Sequence, residues 1–438
     1  MSTLNDALGH AMTGATAAAI DHYETAAQEL RCLCGDPLAA VDRALADAPG
    51  MSMAHTLRAW LHLLGTEAEA MPTAREAAAE AARHAGTDRE RLHAQAAAQV
   101  AQGHWREAGR VLEDLSAQYP RDLLALQAGH QVDFFTGDSR MLRDRLARVR
   151  PHWNDAMPGH HAVLGMHAFG LEETGDYVQA EHTGRRAVAL EPRDGWAWHA
   201  VAHVHEMRSA PADGIAWLEP HAATWSKDSF LAVHNWWHLA LFKLEQDRHD
   251  DVLAMYDASI GGPGSGVVLD MVDQSALLWR LALRGVDVGD RWQALAERWA
   301  PHAGAGNYAF NDMHAMMAFA SAGRGDLVAK LRETQQAALA RDDDNRDFTA
   351  EVGDAATRAV QAFVDGDAAQ AVALLRPVRS RAHRFGGSHA QRDVIDLTLI
   401  EAALRCGDRP LAAALAAERA SLRPASPLAQ RLVARAAA

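Results

Sequence analysis

Apolar residues recur along this chain at helical spacing, and the pattern holds almost from end to end. Segments of roughly 12 to 18 residues are rich in Ala, Leu, Arg and Glu, and Gly, Pro and Asp separate them. Alternating Val, Ile and Tyr are rare, and no Asn-Gly or Asp-Gly pair lies between two strand-like segments as a hairpin turn would. The pattern therefore predicts an all-α protein. It places twenty-three helices between residues 16 and 436, including single helices over 211–224, 347–365 and 367–384.

A repeat of about 34 residues underlies this helical pattern. Small residues at fixed spacing let two helices of a unit approach each other, and Pro ends the second helix. The clearest copy, FGLEETGDYVQAEHTGRRAVALEPRD, has Gly175, Tyr177, Ala180, Ala187 and Pro192. An earlier copy has Gly103, Trp105, Ala108 and Pro120, and a later one has Gly366, Asp367 and Ala371.

These copies predict a tetratricopeptide-repeat-like α-solenoid, a superhelix of antiparallel helix pairs. Residues 101–438 carry the recognisable copies. Residues 1–100 match the repeat poorly, and we predict N-terminal helical repeats there that continue into the rest of the array.

The charge and cysteine content exclude several classes of function. The 438 residues have a formal net charge of −14, which disfavours nucleic acids and anionic membranes as partners. No basic start followed by an apolar run marks a signal peptide, and no apolar run is long enough to span a membrane. Cys32, Cys34 and Cys406 form no disulfide framework. We therefore expect a cytoplasmic protein.

The unusual component is histidine, of which the chain has 24. In the stretch from Trp196 to Leu241, His199 and His203 lie four residues apart and Glu206 follows three residues later. His234 and His238 repeat the four-residue spacing on the next helix of the same type. Residues spaced in this way share one helical face. Two helices should therefore each present a stripe of imidazoles.

Similar polar clusters fall on later helices of the type that lines the concave side of such arrays. If the superhelix coils tightly, these clusters converge on one cavity, and the intervening helices look ordinary by comparison. The clusters are Asp270 and Asp273, then Asn311, Asp312 and His314, and finally Ser388, His389, Arg392 and Asp393.

Two kinds of chemistry fit these residues. Imidazoles and carboxylates suit a transition metal, Zn or Fe, with His199, His203 and His238 as the predicted ligands. Alternatively, histidines beside carboxylates suit metal-free acid–base catalysis near neutral pH. The residues that we predict for catalysis are His203, Glu206, His234, His238, Asp273 and His314.

The substrate would be a small polar or anionic molecule in the concave cavity. In GGSHAQRD, free backbone N–H groups and Arg392 at a helix start resemble an anion site, and an equally good interpretation makes Ser388 an ordinary N-cap. The residues that we predict for substrate binding are Trp237, Asn311, Asp312, Ser388, Arg392 and Asp393.

Several longer motifs resemble the tetratricopeptide repeat protein 38 family. They are AHVHEM, HNWWHLAL, the Asp273 segment ending in LLWRL, VGDRW, FNDMH, GGSHAQRD and SPLAQRL, and they cover roughly residues 100 to 438. The resemblance implies a single helical solenoid and a cytosolic protein, and it implies little about chemistry. Many relatives would have Asn where this chain has His389.

Two classes of function therefore remain. The His, Trp and Asp content of the predicted inner face favours a small-molecule enzyme, acid–base or metal-assisted, with hydrolysis as one reaction to consider. The alternative is a non-catalytic scaffold that binds a peptide or protein partner, as repeat arrays commonly do. A homo-oligomer is compatible with either class.

Overall fold

The structure is a computed structural model that describes residues 4–438. It divides the chain into two compact units. The first comprises residues up to Val201 together with Ala222–Ala232, and the second comprises Ala202–His221 and Val233–Ala438. The predicted division after residue 100 does not coincide with a boundary between these two units, and it stays a prediction.

The described residues form helices and no strands, apart from two isolated bridges, so the all-α prediction is confirmed. In the first unit the helices are α1 (Ala17–Cys32), α2 (Pro37–Asp47), α3 (Ser52–Leu63), α4 (Met71–His84), α5 (Asp88–Ala101), α6 (Trp105–Gln118), α7 (Leu123–Thr136), α8 (Ser139–Val149), α9 (His160–Glu173) and α10 (Tyr177–Leu190). Helix α11 (Gly195–Met207) contains a boundary between the units.

The second unit contains most of the remaining helices. They are α12 (Pro211–Leu218), α14 (Ala232–Glu245), α15 (His249–Met255), α16 (Val268–Leu283), α17 (Arg291–Trp299), α18 (Ala309–Ser321), α19 (Gly325–Ala338), α20 (Asp344–Phe348), α21 (Asp354–Val364), α22 (Ala368–Leu375), α23 (His389–Arg405), α24 (Arg409–Leu422) and α25 (Pro427–Ala437). The short helix α13 (Ala222–Trp225) belongs to the first unit. The last residue of that unit, Ala232, is also the first residue of α14.

Within residues 4–438, a Gly-Asp turn joins one helix to the next at five places. The glycine takes a positive φ after one helix, and the aspartate caps the next helix by accepting a hydrogen bond from a backbone N–H three residues on. The five turns are Gly35-Asp36, Gly137-Asp138, Gly175-Asp176, Gly366-Asp367 and Gly407-Asp408. Such short turns fold two consecutive helices back on each other, as the tetratricopeptide-like prediction requires.

Consecutive helices pack against one another through small residues. In the best repeat copy, Ala180 and Ala187 of α10 are fully buried in the pair that α10 forms with α9. In the second unit the largest fully buried side chains include Trp237, Trp279 and Trp299. Each unit is therefore an array of stacked helices with its own apolar core. No helix in the described part of the chain is both long and apolar enough to cross a bilayer.

Three predicted helices are interrupted, in two cases at a proline. The predicted helix 211–224 breaks around Pro220, and the predicted helix 367–384 ends at Leu375, before Pro377. Proline lacks the N–H that would continue the hydrogen-bonding pattern. The predicted helix 347–365 is instead two α-helices joined by a π-turn over Thr349–Gly353.

Gly170 tests the close packing of α8 and α9. A Cβ at Gly170 would lie 2.3 Å from the carbonyl oxygen of Leu142, and backbone cannot easily move aside. Gly170→Ala should therefore lower the free energy of unfolding by about 1–3 kcal/mol despite the better helix propensity of alanine. Gly109→Ala is the matched control, because its Cβ would lie 3.6 Å from Val132 in ordinary contact. Urea unfolding should show a lower midpoint for G170A alone, and equal midpoints would contradict this account of the packing.

Candidate functional site

Three helices of the second unit bring histidines and a carboxylate together. His203 lies on α11, His234 and His238 lie one turn apart on α14, and Asp273 lies on α16. His203, His238 and Asp273 are at most 2% exposed, whereas the side chain of His234 is 14% exposed. We call these four residues the imidazole cluster. Solvent reaches the cluster at His234.

The three imidazoles of the cluster are in direct contact. The ring centroids of His203 and His238 are 4.5 Å apart, and those of His234 and His238 are 4.9 Å apart. One ligand nitrogen from each ring lies within 4.8 Å of the others. A shared ion about 2.0–2.1 Å from each nitrogen would require the rings to turn until their nitrogens converge further.

Asp273 fixes the orientation of His234. The Nδ1 atom of His234 is 2.8 Å from Oδ2 of Asp273, so Nδ1–H donates to the carboxylate. The lone pair of the ring then belongs to Nε2. A carboxylate that holds one nitrogen of a histidine while the other ligates is a recurring arrangement around protein-bound metals.

Burial keeps His238 neutral. Desolvation lowers its pKa well below the usual range, and the neighbouring His203, His234 and Arg280 lower it further. A neutral imidazole retains a lone pair at physiological pH, which both metal binding and general-base chemistry require. His238 is therefore in the correct protonation state for either function.

Trp237 forms an apolar wall beside the cluster and also contacts a cation. It is fully buried, and its ring stacks on His234 at 5.3 Å and meets His238 edge-on at 4.9 Å. The guanidinium of Arg280, on α16, lies 5.4 Å from the centre of the same ring. This is the geometry of a cation–π contact.

Glu206 and Asp393 are engaged in ion pairs. Glu206 accepts a hydrogen bond from Arg423 at 3.2 Å, and Asp393 accepts two from Arg419 at 2.6 and 3.0 Å. Although burial opposes ionisation, Arg419 and Arg423 hold the pKa of Asp393 well below its usual range. The structure thus gives both carboxylates arginine partners, and Asp273 is the one that orients a histidine of the cluster.

Three of the predicted site residues lie on α18 and are buried. His314 is fully buried, its Nδ1–H donates to the carbonyl of Phe310 at 2.8 Å, and burial lowers its pKa to about 4. Burial raises the pKa of Asp312 to about 7, with Gln335 as its nearest donor at 3.4 Å. Asn311 is also buried. Within residues 4–438, none of the three belongs to a group of ligand atoms close enough to share an ion.

The start of α23 shows the N-cap arrangement. Ser388 accepts a hydrogen bond from the backbone N–H of Gln391 at 3.2 Å, and the Gln391 side chain accepts one from the N–H of Ser388 at 3.1 Å. In this reciprocal capping box, the backbone N–H groups of Ser388 and Gln391, which an anion would need as donors, already have acceptors. Arg392 donates to the carbonyl of Gly387.

His199 lies one turn before His203 on α11 but falls in the first unit. It is 2% exposed, and its ring packs at 5.3 Å from Phe169 and at 4.7 Å from Trp196. Its predicted role as a metal ligand stays a prediction.

Of the predicted site residues, the structure brings His203, His234, Trp237, His238 and Asp273 into one place. Sequence reasoning missed Arg280, Arg419 and Arg423. Arg280 had a readable signal, because it follows Asp273 by seven residues and so shares its helical face.

No family model matches the sequence. The crystal structure of yeast Tom70 shares 12% sequence identity with this chain, covers 95% of it and 94% of its own chain, and superposes with a TM-score of 0.33. The tetratricopeptide repeat domain of P58(IPK) also shares 12% identity, with coverages of 82% and 89% and a TM-score of 0.21. These likenesses are weak, so the chemistry of the site rests on its own geometry.

Asp312 should make stability depend on pH. Its pKa is raised from 3.8 to about 7 in the folded chain, so folding favours its protonated form. The stability associated with that proton is present below about pH 4 and is lost as the pH rises through 7, by up to roughly 4 kcal/mol. Asp312→Asn removes this titration. The unfolding free energy of D312N relative to the unmodified protein should increase between pH 5 and pH 8, and a constant difference would refute the assignment.

Proposed function

We propose that this protein binds a transition-metal ion through His203, His234 and His238 and uses it on a small polar molecule. The observation that carries the proposal is the proximity of three imidazole nitrogens, one of whose rings is held by Asp273. Three histidines and an open position are the ligand set of several catalytic zinc centres. The donor set is also compatible with iron.

The chemistry follows from the ligand set and its exposure. His203, His234 and His238 would hold the ion, and a zinc ion there would supply Lewis-acid chemistry to a bound water or substrate. His203 and His238 are buried, whereas His234 is partly exposed, so a fourth ligand would approach from the His234 side. Asp273 would keep Nε2 of His234 available. Hydrolysis of a small substrate is the reaction class that best fits these properties.

We also propose that the chain belongs with the tetratricopeptide repeat protein 38 family. What supports this placement is the run of motifs over roughly residues 100 to 438, three of which supply the residues of the imidazole cluster. The helical repeat architecture is consistent with it. A cytoplasmic location follows from the same resemblance.

The first test is metal content. Protein purified without a polyhistidine tag should contain about one transition-metal ion per chain by elemental analysis, or should take up one when titrated with Zn(II) or Fe(II). His203→Asn combined with His238→Asn should reduce the content to about a tenth or less, because two of three ligands are lost. His130→Asn is the matched control, since His130 is equally buried and lies outside the clusters of potential ligands in residues 4–438.

Retained helical content is required in both variants, measured by circular dichroism. A native protein that neither contains nor takes up a metal would refute the proposal and would favour the role of a repeat scaffold for a protein partner. Equal metal content in the double variant would show that the ion binds elsewhere.

Asp273→Asn tests the role of the carboxylate that orients His234. The variant should keep its fold but bind metal about 10- to 100-fold more weakly, because the His234 ring loses its charged acceptor. Asp270→Asn on the same helix is the control, because Asp270 accepts a hydrogen bond from Ser265 at 2.6 Å in the loop before α16. Competition with a chromogenic chelator gives both affinities, and equal affinities would remove Asp273 from the site.

A further inference from the structure

Arg280 is a buried cation next to the imidazole cluster. It is 5% exposed, and its guanidinium lies over Trp237, whose ring contacts His234 and His238. Asp273 and Arg280 are two turns apart on one face of α16, about 10 Å along the helix. The same helix therefore presents a carboxylate to the histidines and a guanidinium to the tryptophan.

The guanidinium is held by backbone carbonyls alone. Its Nη1 donates to Ala276 at 3.1 Å and its Nη2 to Ala390 at 2.7 Å. Within residues 4–438, no carboxylate oxygen lies within ion-pairing distance of it. Two of the five N–H donors of the group are used, which leaves three for another acceptor.

The nearest acidic side chains are already neutralised. Asp393 pairs with Arg419 and Glu206 pairs with Arg423, so both attract Arg280 only from a distance. Burial outweighs that attraction and lowers the pKa of Arg280 to about 10. Buried charges in proteins are normally paired, because leaving water costs several kcal/mol per ion. A guanidinium without a counter-ion at this depth is thus missing a natural partner.

A second donor lies at the same place. The indole Nε1–H of Trp237 is buried and has no hydrogen-bond acceptor among the described residues. Buried indole N–H groups are usually satisfied. The guanidinium of Arg280 lies over the same indole ring. Two donors without an anionic acceptor, the guanidinium and the indole N–H, therefore occur beside the imidazole cluster.

We propose that Arg280, with the N–H of Trp237, binds the carboxylate group of a small anionic substrate. The planar fork of a guanidinium matches the two oxygens of a carboxylate. Such an anion would supply the counter-charge that Arg280 lacks, and its other end would reach the imidazole cluster. The assignment of that other end to a reaction rests on the proposed function, whereas the anion site rests on Arg280 and Trp237 alone.

Arg280→Met distinguishes this role from a structural one. A cation retained for packing would destabilise the chain when removed. A cation retained for a ligand should leave the melting temperature unchanged or higher, because methionine carries no charge that must be desolvated. Arg284→Met is the matched control, because Arg284 directly follows the last residue of α16 and lies 3.8 Å from Glu245 in an ion pair.

The ligand test uses acetate as the probe, with phosphate as a second anion and chloride at equal ionic strength as the reference. It is carried out on protein as purified and again after chelation, so its result does not depend on a metal. Acetate should raise the melting temperature of the native protein by mass action. Apparent acetate affinity should fall at least about tenfold in R280M, fall less in R280K, and stay unchanged in R284M.

Each result decides the matter. No response of the native protein to acetate, an equal response in R280M, or severe destabilisation of R280M would overturn the carboxylate site. A stronger response to phosphate than to acetate would reassign the anion class and overturn the carboxylate assignment. If the protein binds metal but acetate does not raise its melting temperature, the metal proposal alone is retained. If acetate binding depends on Arg280 and the protein binds no metal, the anion site alone is retained.

Discussion

The hydrogen bond between His234 and Asp273 is the interaction on which the imidazole cluster depends. It joins two helices, α14 and α16, and it determines which nitrogen of His234 keeps its lone pair. Because the acceptor is a carboxylate and both side chains are largely buried, this hydrogen bond is stronger than one between neutral groups in water. His238 follows His234 by one helical turn, so fixing the first ring also limits where the second can lie. Without this bond the His234 ring would lose the contact that sets its orientation toward Asp273.

The cluster is arranged around His238, which contacts both of the other imidazoles. Burial favours the neutral form of His238, and the proximity of two further imidazoles and of Arg280 strengthens that preference. Positive charge is instead concentrated in three arginines, two of which share their charge with Glu206 and Asp393. This division of roles explains how lone pairs and cations coexist at short range. It also leaves Arg280 as the cation of the group without a carboxylate partner in the described chain.

The sequence predicted the helices well because helix signals are local. Gly-Asp turns, caps and apolar spacing are all readable within a few residues. The interruptions of three predicted helices were missed, because Pro220, Pro377 and a π-turn break a pattern that is otherwise helical. The spacing of His234 and His238 predicted a shared face, and the structure shows their rings in contact. Which carboxylate would orient a histidine could not be predicted, because Asp273 and Glu206 are equivalent until the partners of each are known. Arg423, which engages Glu206, is 217 residues away in the chain.

The physical character of the site also separates it from an ordinary repeat core. Trp237, Trp279 and Trp299 show that the second unit can bury large apolar side chains completely. Leucine or methionine in place of His203, His238 and Arg280 would bury similar volume and avoid the desolvation of polar groups. A core selected for stability alone would therefore not contain them. Imidazoles that touch, a carboxylate that aligns one of them and a guanidinium without a counter-ion are features of a preorganised binding site.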